Sequence, residues 1–336
     1  MSTRVSVLLP VRDGEATLAE CLASLAAQGL REHEVVAVDD GSRDGTPGLL
    51  ERAARHDPRV RPVRTPPRGL VAALNTALEN ARAPLLARMD ADDVAHPDRL
   101  ARQAARLASD ARTDVLGCRV RLFGGGAAGN AGMRGYVEWL NTLVEHEAIV
   151  RDLYVESPLV HPSVMMKTTD LRALGGYRSF EGPEDYDLWL RAHARGLRFA
   201  KDPEVLLAWR DRPDRLTRRD PRYAVPRFLA LKLEALEGGP LRRPRPVVVW
   251  GAGPVGKAWA RALLTRGHRL AAFVDVDPRK LGRIVYGAPV VALSAARAFA
   301  GALHLAAVGR PGAREQIRAA AAGLGLADGR DLVAVA

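Results

Sequence analysis

Three carboxylates stand within four residues at Asp90-Ala91-Asp92-Asp93, directly after the apolar run Pro84-Leu85-Leu86-Ala87 and shortly before His96-Pro97-Asp98. Clustered hard oxygens suit Mg²⁺ or Mn²⁺, which take one or two carboxylates and leave positions for phosphate oxygens. Two more acidic pairs carry chemical potential. Asp39-Asp40 closes the apolar run Val35 to Val38, and Glu184-Asp185 opens a helical pattern. A carboxylate within reach of a hydroxyl is a general base, particularly where burial raises its pKa. Each group also has a plainer reading. An acidic turn caps a following helix, and two carboxylates at a helix start sit well against its dipole.

Which reading holds depends on the elements that carry these residues. Val5 to Val11, Glu34 to Val38, Val60 to Val63 and Pro84 to Met89 are short apolar runs that read as buried strands. Between them, Leu18, Cys21, Leu22 and Leu25 recur at helical spacing. Thr46-Pro47 opens a helix to about His56, and Leu70, Ala73, Leu74, Ala77 and Leu78 share one helical face. Alternating strands and helices imply a parallel sheet with right-handed crossovers. Pro10 to Asp13, Asp39-Asp40 and Asp90 to Asp93 all follow strands, so they converge on one sheet edge, where open α/β sheets bind ligands. Further on, 115–120 reads as a strand, the glycine-rich 124–132 as a mobile loop or lid, 136–154 as a helix and 159–166 as a strand. A short helix follows from Thr169, and another runs from Glu184 to Gly196. The stretch 198–228 is rich in arginine, including Arg210, Arg212, Arg215, Arg218 and Arg219.

A chain of 336 residues, 47% hydrophobic and 26% charged, has material for two domains. No apolar stretch approaches about 20 residues, and no signal-like segment precedes the first strand. Cys21 and Cys118 lie in apolar surroundings and read as buried free thiols of a reducing compartment, which makes the chain cytoplasmic. The net charge of +11 is uneven. Residues 1–243 hold 37 basic against 34 acidic residues, and 244–336 hold 13 against 5. Such charge favours phosphate ligands or an anionic membrane. With 5% aromatics and no helix-turn-helix, zinc-finger or RNA-recognition signature, specific nucleic-acid binding is not expected.

Residues 1 to about 230 resemble the inverting family 2 glycosyltransferases of GT-A fold. The resemblance rests on five stretches in the family's order. They are Val5 to Pro10, Val38-Asp39-Asp40-Gly41-Ser42-Arg43-Asp44-Gly45-Thr46, Asp90-Ala91-Asp92-Asp93, His161-Pro162-Ser163-Val164-Met165, and Glu184-Asp185-Tyr186-Asp187-Leu188-Trp189. The resemblance implies transfer of a sugar from a nucleotide-diphosphate donor, typically a UDP-sugar, to an acceptor hydroxyl with inversion. It implies that Asp40 accepts a hydrogen bond from the donor base, that Pro10 and Asp13 line it, and that Asp39 supports the loop. Asp92 corresponds to the main ligand of Mn²⁺ or Mg²⁺, and Asp90 lines the sugar and diphosphate. Asp185 corresponds to the general base with Glu184 beside it, and His161 lies near the active site. Asp93 is expected to order the turn. The acceptor is a saccharide or a lipid-linked molecule, the latter compatible with peripheral attachment at the inner face of the membrane. A scaffold that keeps the fold without turnover is the competing class; the intact set of Asp40, Asp92 and Asp185 argues against it.

The run 238–246 is turn-rich and charged, reading as a linker between a GT-A domain at 1–237 and a small domain at 247–336. There Val247 to Trp250 reads as a strand, Gly251-x-Gly253-x-x-Gly256 opens a helix, and Asp275 ends the next strand. This is the dinucleotide fingerprint in its proper context, so the segment resembles a Rossmann-like nucleotide-binding module. NAD(P) or another nucleotide is its expected ligand. A binding or regulatory module is favoured over an NAD(P)-dependent oxidoreductase, because the motif supplies cofactor contacts and no chemistry. Glycines serving only the tight turn are the third reading.

Overall fold

Val5–Val11 (β1) is buried along its whole length, as a strand inside a parallel sheet must be. The computed structural model describes residues 3–124 and 131–336. The expected loop at 124–132 lies largely outside the described residues. The chain divides into two units, 1–149 with 158–221, and 150–157 with 222–336.

In the first unit, β1 is followed by α1 (Leu18–Ala26), β2 (His33–Asp40), α2 (Thr46–His56), β3 (Val60–Thr65), α3 (Leu70–Asn80) and β4 (Leu85–Arg88). Then come β5 (Val94–Ala95), α4 (Arg99–Ser109), β6 (Val115–Phe123), α5 (Ala131–Thr142), α6 (His146–Arg151), β7 (Met165–Lys167), α7 (Thr168–Ala173), α8 (Glu184–Ala194), β8 (Phe199–Arg210) and α9 (Leu216–Arg219). Among the described residues the strands form one sheet in the order β3-β2-β1-β4-β7-β6-β8-β5. β1 pairs in parallel with β2 and β4, and β2 with β3, so three acidic or polar strand ends share one edge as expected. β7 runs antiparallel to β4 and β6, and β6 pairs in parallel with β8. Pro10 is tolerated inside this sheet because β4 pairing stops at Leu8↔Arg88, so its missing N–H falls past the shared ladder. Leu9, Leu18, Leu25, Ala87, Met89 and Leu100 belong to the buried core beneath that edge. Cys21 and Cys118 are buried and free.

Two expected elements differ. The helix expected over 136–154 is two, α5 and α6. Asn141 turns its amide onto the Val120 backbone of β6, and Leu140 and Val144 carbonyls accept the Nζ and N–H of buried Lys201, which draws the chain out of helical register. The strand expected over 159–166 is a 3₁₀ turn at His161–Ser163 followed by β7. Pro162 has no N–H for a ladder, and the turn points His161 into the protein.

In the second unit, α10 (Val225–Gly238) precedes β9 (Val247–Trp250), α11 (Pro254–Thr265), β10 (Leu270–Val274), β11 (Ile284–Val285), β12 (Ala288–Val291), β13 (Leu303–Ala306), α12 (Ala313–Gly323) and β14 (Leu332–Ala334). The six-stranded order among described residues is β11-β12-β10-β9-β13-β14, parallel apart from β11. The turn-rich run 238–246 lies inside this unit. It closes α10, with Gly239 and Leu241 N–H bonded to Leu236, and Glu237 of α10 is paired with Arg266 and His268. Buried Asp152, held by Arg314 and Arg318 of α12 at 3.2 and 2.5 Å, fixes 150–157 to the same unit. Among the described residues no helix is long and apolar enough to cross a membrane.

Candidate active site

β4 delivers the acidic cluster, and its neighbours lock the turn. Arg99 of α4 is fully buried and donates from Nη2 to the Arg88 carbonyl at 2.7 Å. From α1, Thr17 Oγ1 donates to the Ala91 carbonyl at 3.1 Å and Cys21 Sγ to the Asp90 carbonyl at 3.3 Å. Gln28 bridges the His96 carbonyl and the Leu100 N–H. Buried Arg88 donates from Nη2 to Asp90 Oδ1 at 2.6 Å. Burial pushes the Asp90 carboxyl up, but Arg88 and then His161 outweigh it and leave it below the usual range. Asp92 has a longer contact, with Arg212 Nε 3.5 Å from its Oδ2. Burial first, and then the Asp90 charge, raise Asp92; burial and both neighbours push Asp93 well up. Asp93 accepts the Arg210 N–H at 2.8 Å, and its Oδ2 is buried without a hydrogen-bond partner.

The loops after β1 and β2 are stitched to each other. Asp13 takes φ +50°, a left-handed conformation, and donates its N–H to Ser42 Oγ at 2.9 Å while its Oδ1 accepts the Arg43 N–H at 2.8 Å. Gly14 N–H donates to Thr46 Oγ1, Glu15 N–H to Asp44 Oδ2, and Gly45 N–H to Glu15 Oε2. Asp39 Oδ1 accepts the Ser42 N–H at 2.9 Å. Asp40 accepts from the Arg68 and Gly69 N–H groups at 2.7 and 2.9 Å, which ties the start of α3 to this edge, with Arg12 at 3.9 Å. Two bonds leave a carboxylate further acceptor capacity. Ser42, Asp44, Thr46 and Glu15 are the positioning residues that the motif spacing alone does not reveal.

His161, Tyr177 and Glu184 form a buried group beside the cluster. His161 Nε2 lies 3.0 Å from the Tyr177 hydroxyl and Nδ1 lies 3.7 Å from Glu184 Oε1. Burial and then Arg88 lower the His161 pKa. Burial raises the Tyr177 pKa; Arg88 opposes this, and Glu184, Asp185 and Asp90 add to it. Through His161, Tyr177 is linked to Glu184 at the start of α8. Its backbone is held on both sides by Asn75 of α3 at 2.9 Å. Asp187, buried one residue beyond Tyr186, takes Arg191 at 2.7 Å and Arg178 at 3.2 Å; Arg191 also binds the Leu174 and Gly176 carbonyls, which fixes the turn that carries Tyr177. Asp185, half-buried, opens α8 and accepts the Tyr186 N–H at 2.7 Å.

The profile described as "Glycosyl transferase family 2" matches residues 6–171. The chain is also 30% identical over 272 residues to "Putative glycosyltransferase EpsE" of Bacillus subtilis, covering 79% of this chain and 93% of that protein. The chain belongs to glycosyl transferase family 2. This family 2 enzyme is also 29% identical over 217 residues to the amylovoran biosynthesis glycosyltransferase AmsE of Erwinia amylovora, covering 64% of this chain and 79% of that one. Its fold is shared with TarS of S. aureus, solved with UDP-GlcNAc, at TM-score 0.56, 20% identity and 70% and 67% of the two chains. It is shared as well with the mannosyltransferase PcManGT of Pyrobaculum calidifontis, solved with GDP-Man and Mn²⁺, at TM-score 0.53, 23% identity and 79% and 70% coverage.

The residues of this family 2 site fit a divalent cation. One oxygen from each of Asp90, Asp92 and Asp93 lies within 4.8 Å of the others, hard donors whose mutual repulsion a cation relieves. The glycine edge of the second unit differs. Gly251 needs its φ of +102°, and a Cβ on Gly256 would meet the Gly251 carbonyl oxygen at 1.8 Å, so both have steric reasons. Gly253 has none, since a Cβ there meets nothing within 4 Å. Asp275, expected to face a ribose, is buried and accepts from Ala252 N–H at 2.8 Å, Asp277 N–H at 2.9 Å and Lys280 Nζ at 2.9 Å. About three of its four acceptor positions are filled from its own surroundings, so it supports the turn.

Proposed function

We propose that the chain is a metal-dependent inverting glycosyltransferase that uses a nucleotide-diphosphate sugar, with UDP-sugars favoured. The observation that carries this reading is the cluster of Asp90, Asp92 and Asp93 at the end of β4, with one oxygen of each within 4.8 Å of the others. Asp40, Pro10 and Asp13 receive the base, with Asp39 behind them. Asp90 lines the sugar and diphosphate, and Asp92 holds Mn²⁺ or Mg²⁺ together with its neighbours. The cation, when bound, supplies Lewis-acid stabilisation of the leaving diphosphate. Asp185 accepts the proton of the acceptor hydroxyl as its oxygen bonds to the anomeric carbon, and the carbon–oxygen bond to the diphosphate breaks with its electron pair on the leaving group. One base and attack from the opposite face give inversion. Glu184 and His161, the latter bonded to Tyr177, hold the start of α8.

The donor class is supported by the UDP-GlcNAc and GDP-Man seen on the fold neighbours, and the product class by the amylovoran relative. We therefore assign the enzyme to surface polysaccharide or glycoconjugate synthesis, with a saccharide or lipid-linked acceptor. A screen of UDP- and GDP-sugars for nucleoside diphosphate release, with and without Mn²⁺, tests the reading. Release with a UDP-sugar on Mn²⁺ addition and an anomerically inverted product by NMR is the expected result. A retained anomer, or release indifferent to chelation, contradicts it.

A further inference from the structure

The arginines at and after the end of β8 are not used by the reading above, and they do not all do the same thing. Arg210 bonds the Asp92 carbonyl through Nε at 2.7 Å, lies 4.2 Å over the Phe123 ring and pairs with Glu20. Arg215 lies 4.1 Å over the Trp209 ring, and Arg218 pairs with buried Asp211 at 2.7 Å. These side chains hold the segment in place. Arg212 differs. Its Nε stands 3.5 Å from Asp92 Oδ2 and 3.2 Å from Asp214 Oδ1, and it is buried without a hydrogen-bond partner.

The backbone beside Arg212 is anchored, since Arg210 N–H donates to Asp93 Oδ1 and Asp211 N–H to the Phe123 carbonyl. The side chain is about one-third exposed, though its Nε is buried, and it makes only long ion pairs, so it is held by charge and not by a hydrogen-bond fork. Asp92 is the carboxylate assigned above to the divalent cation. Two cations close to one carboxylate repel each other, so a metal ion arriving at Asp92 weakens the Arg212 contact. A guanidinium released beside that point meets diphosphate oxygens, for which its planar donor fork is well shaped.

We propose that Arg212 is the resident counter-ion of Asp92, displaced by the divalent cation and then engaged with the diphosphate of the donor. The second half rests on the donor reading given above. The role belongs to Arg212 and not to its neighbours, because Arg210, Arg215 and Arg218 are committed to rings, backbone or Asp211.

The two halves have opposite signatures in binding. Calorimetric titrations with Mn²⁺ alone, and with UDP, GDP and uridine at saturating Mn²⁺, compare the full chain with Arg212→Ala and Arg212→Lys; thermal melts confirm that each variant is folded. Removing a partly exposed ion pair should tighten Mn²⁺ binding by Arg212→Ala about twofold to fivefold. The same variant should weaken UDP about tenfold to a hundredfold, the effect of losing a charged hydrogen bond, with uridine unaffected and Arg212→Lys in between. Unchanged or weaker Mn²⁺ binding overturns the counter-ion. Unchanged UDP affinity, or equal loss for uridine, overturns the diphosphate contact. If the wild-type chain binds neither UDP nor GDP, the donor reading fails instead, and the Mn²⁺ titration still decides the counter-ion.

Discussion

After β4 the first unit turns through Asp90, Asp92 and Asp93; after β9 the second turns through Gly251, Gly253 and Gly256. Both turns lie at the carboxyl ends of parallel strands, the edge where open α/β sheets place ligands. Their electrostatics are opposite. Asp275 in the second unit is met by two backbone N–H groups and Lys280, and its pKa falls despite burial. Asp92 in the first is pushed up by burial and then Asp90, and Asp93 by burial, Asp90 and Asp92. A satisfied carboxylate holds a loop; a crowded one needs an ion. The same architecture thus supports a structural turn in one unit and an electrostatically incomplete site in the other.

The largest effect that would sharpen this contrast lies at Asp185. Asp185→Asn keeps the size of the side chain and removes its basicity, so turnover should fall about 10²–10⁴-fold while donor affinity stays within about threefold. Steady-state release of nucleoside diphosphate together with calorimetry reads both. Full turnover would remove the base from the acidic edge. A smaller effect is expected at the glycine edge. Gly256→Ala drives a Cβ onto the Gly251 carbonyl and should destabilise the second unit by about 1–3 kcal/mol in denaturant unfolding. Gly253→Ala, with open space and φ of −89°, should cost at most about 1 kcal/mol. Equal losses at the two positions would show that the glycine turn is not explained by packing.

Much of this was legible in the chain itself. The apolar runs Val5 to Val11 and Val35 to Val38 are fully buried strands, and parallel pairing brings their polar ends together as alternation implies. The acidic motifs mark local turns, and local turns are visible in spacing. The long-range stitching was not. Nothing in the spacing of Thr17, Cys21 or Gln28 indicates that α1 pins the acidic turn, because the partners are some 70 residues away. β8 also escaped notice beneath its arginines, although Val205-Leu206-Leu207-Ala208-Trp209 is an apolar run. Pairing with β6 and β5 brings Arg210 and Arg212 to the acidic edge. His161 was placed in a strand where Pro162 enforces a turn. The break between units falls at 221/222, ahead of α10, because that helix is tied through Glu237 to the second unit.

The central claim is that the acidic edge, and not the glycine edge, takes the donor with its cation. Calorimetric binding of UDP to the wild-type chain, Asp92→Ala and Gly253→Ala, each with and without Mn²⁺, tests it most directly. Mn²⁺-dependent binding should be present in the wild type, lost in Asp92→Ala and kept in Gly253→Ala. Binding that survives Asp92→Ala, or disappears with Gly253→Ala, would contradict the account.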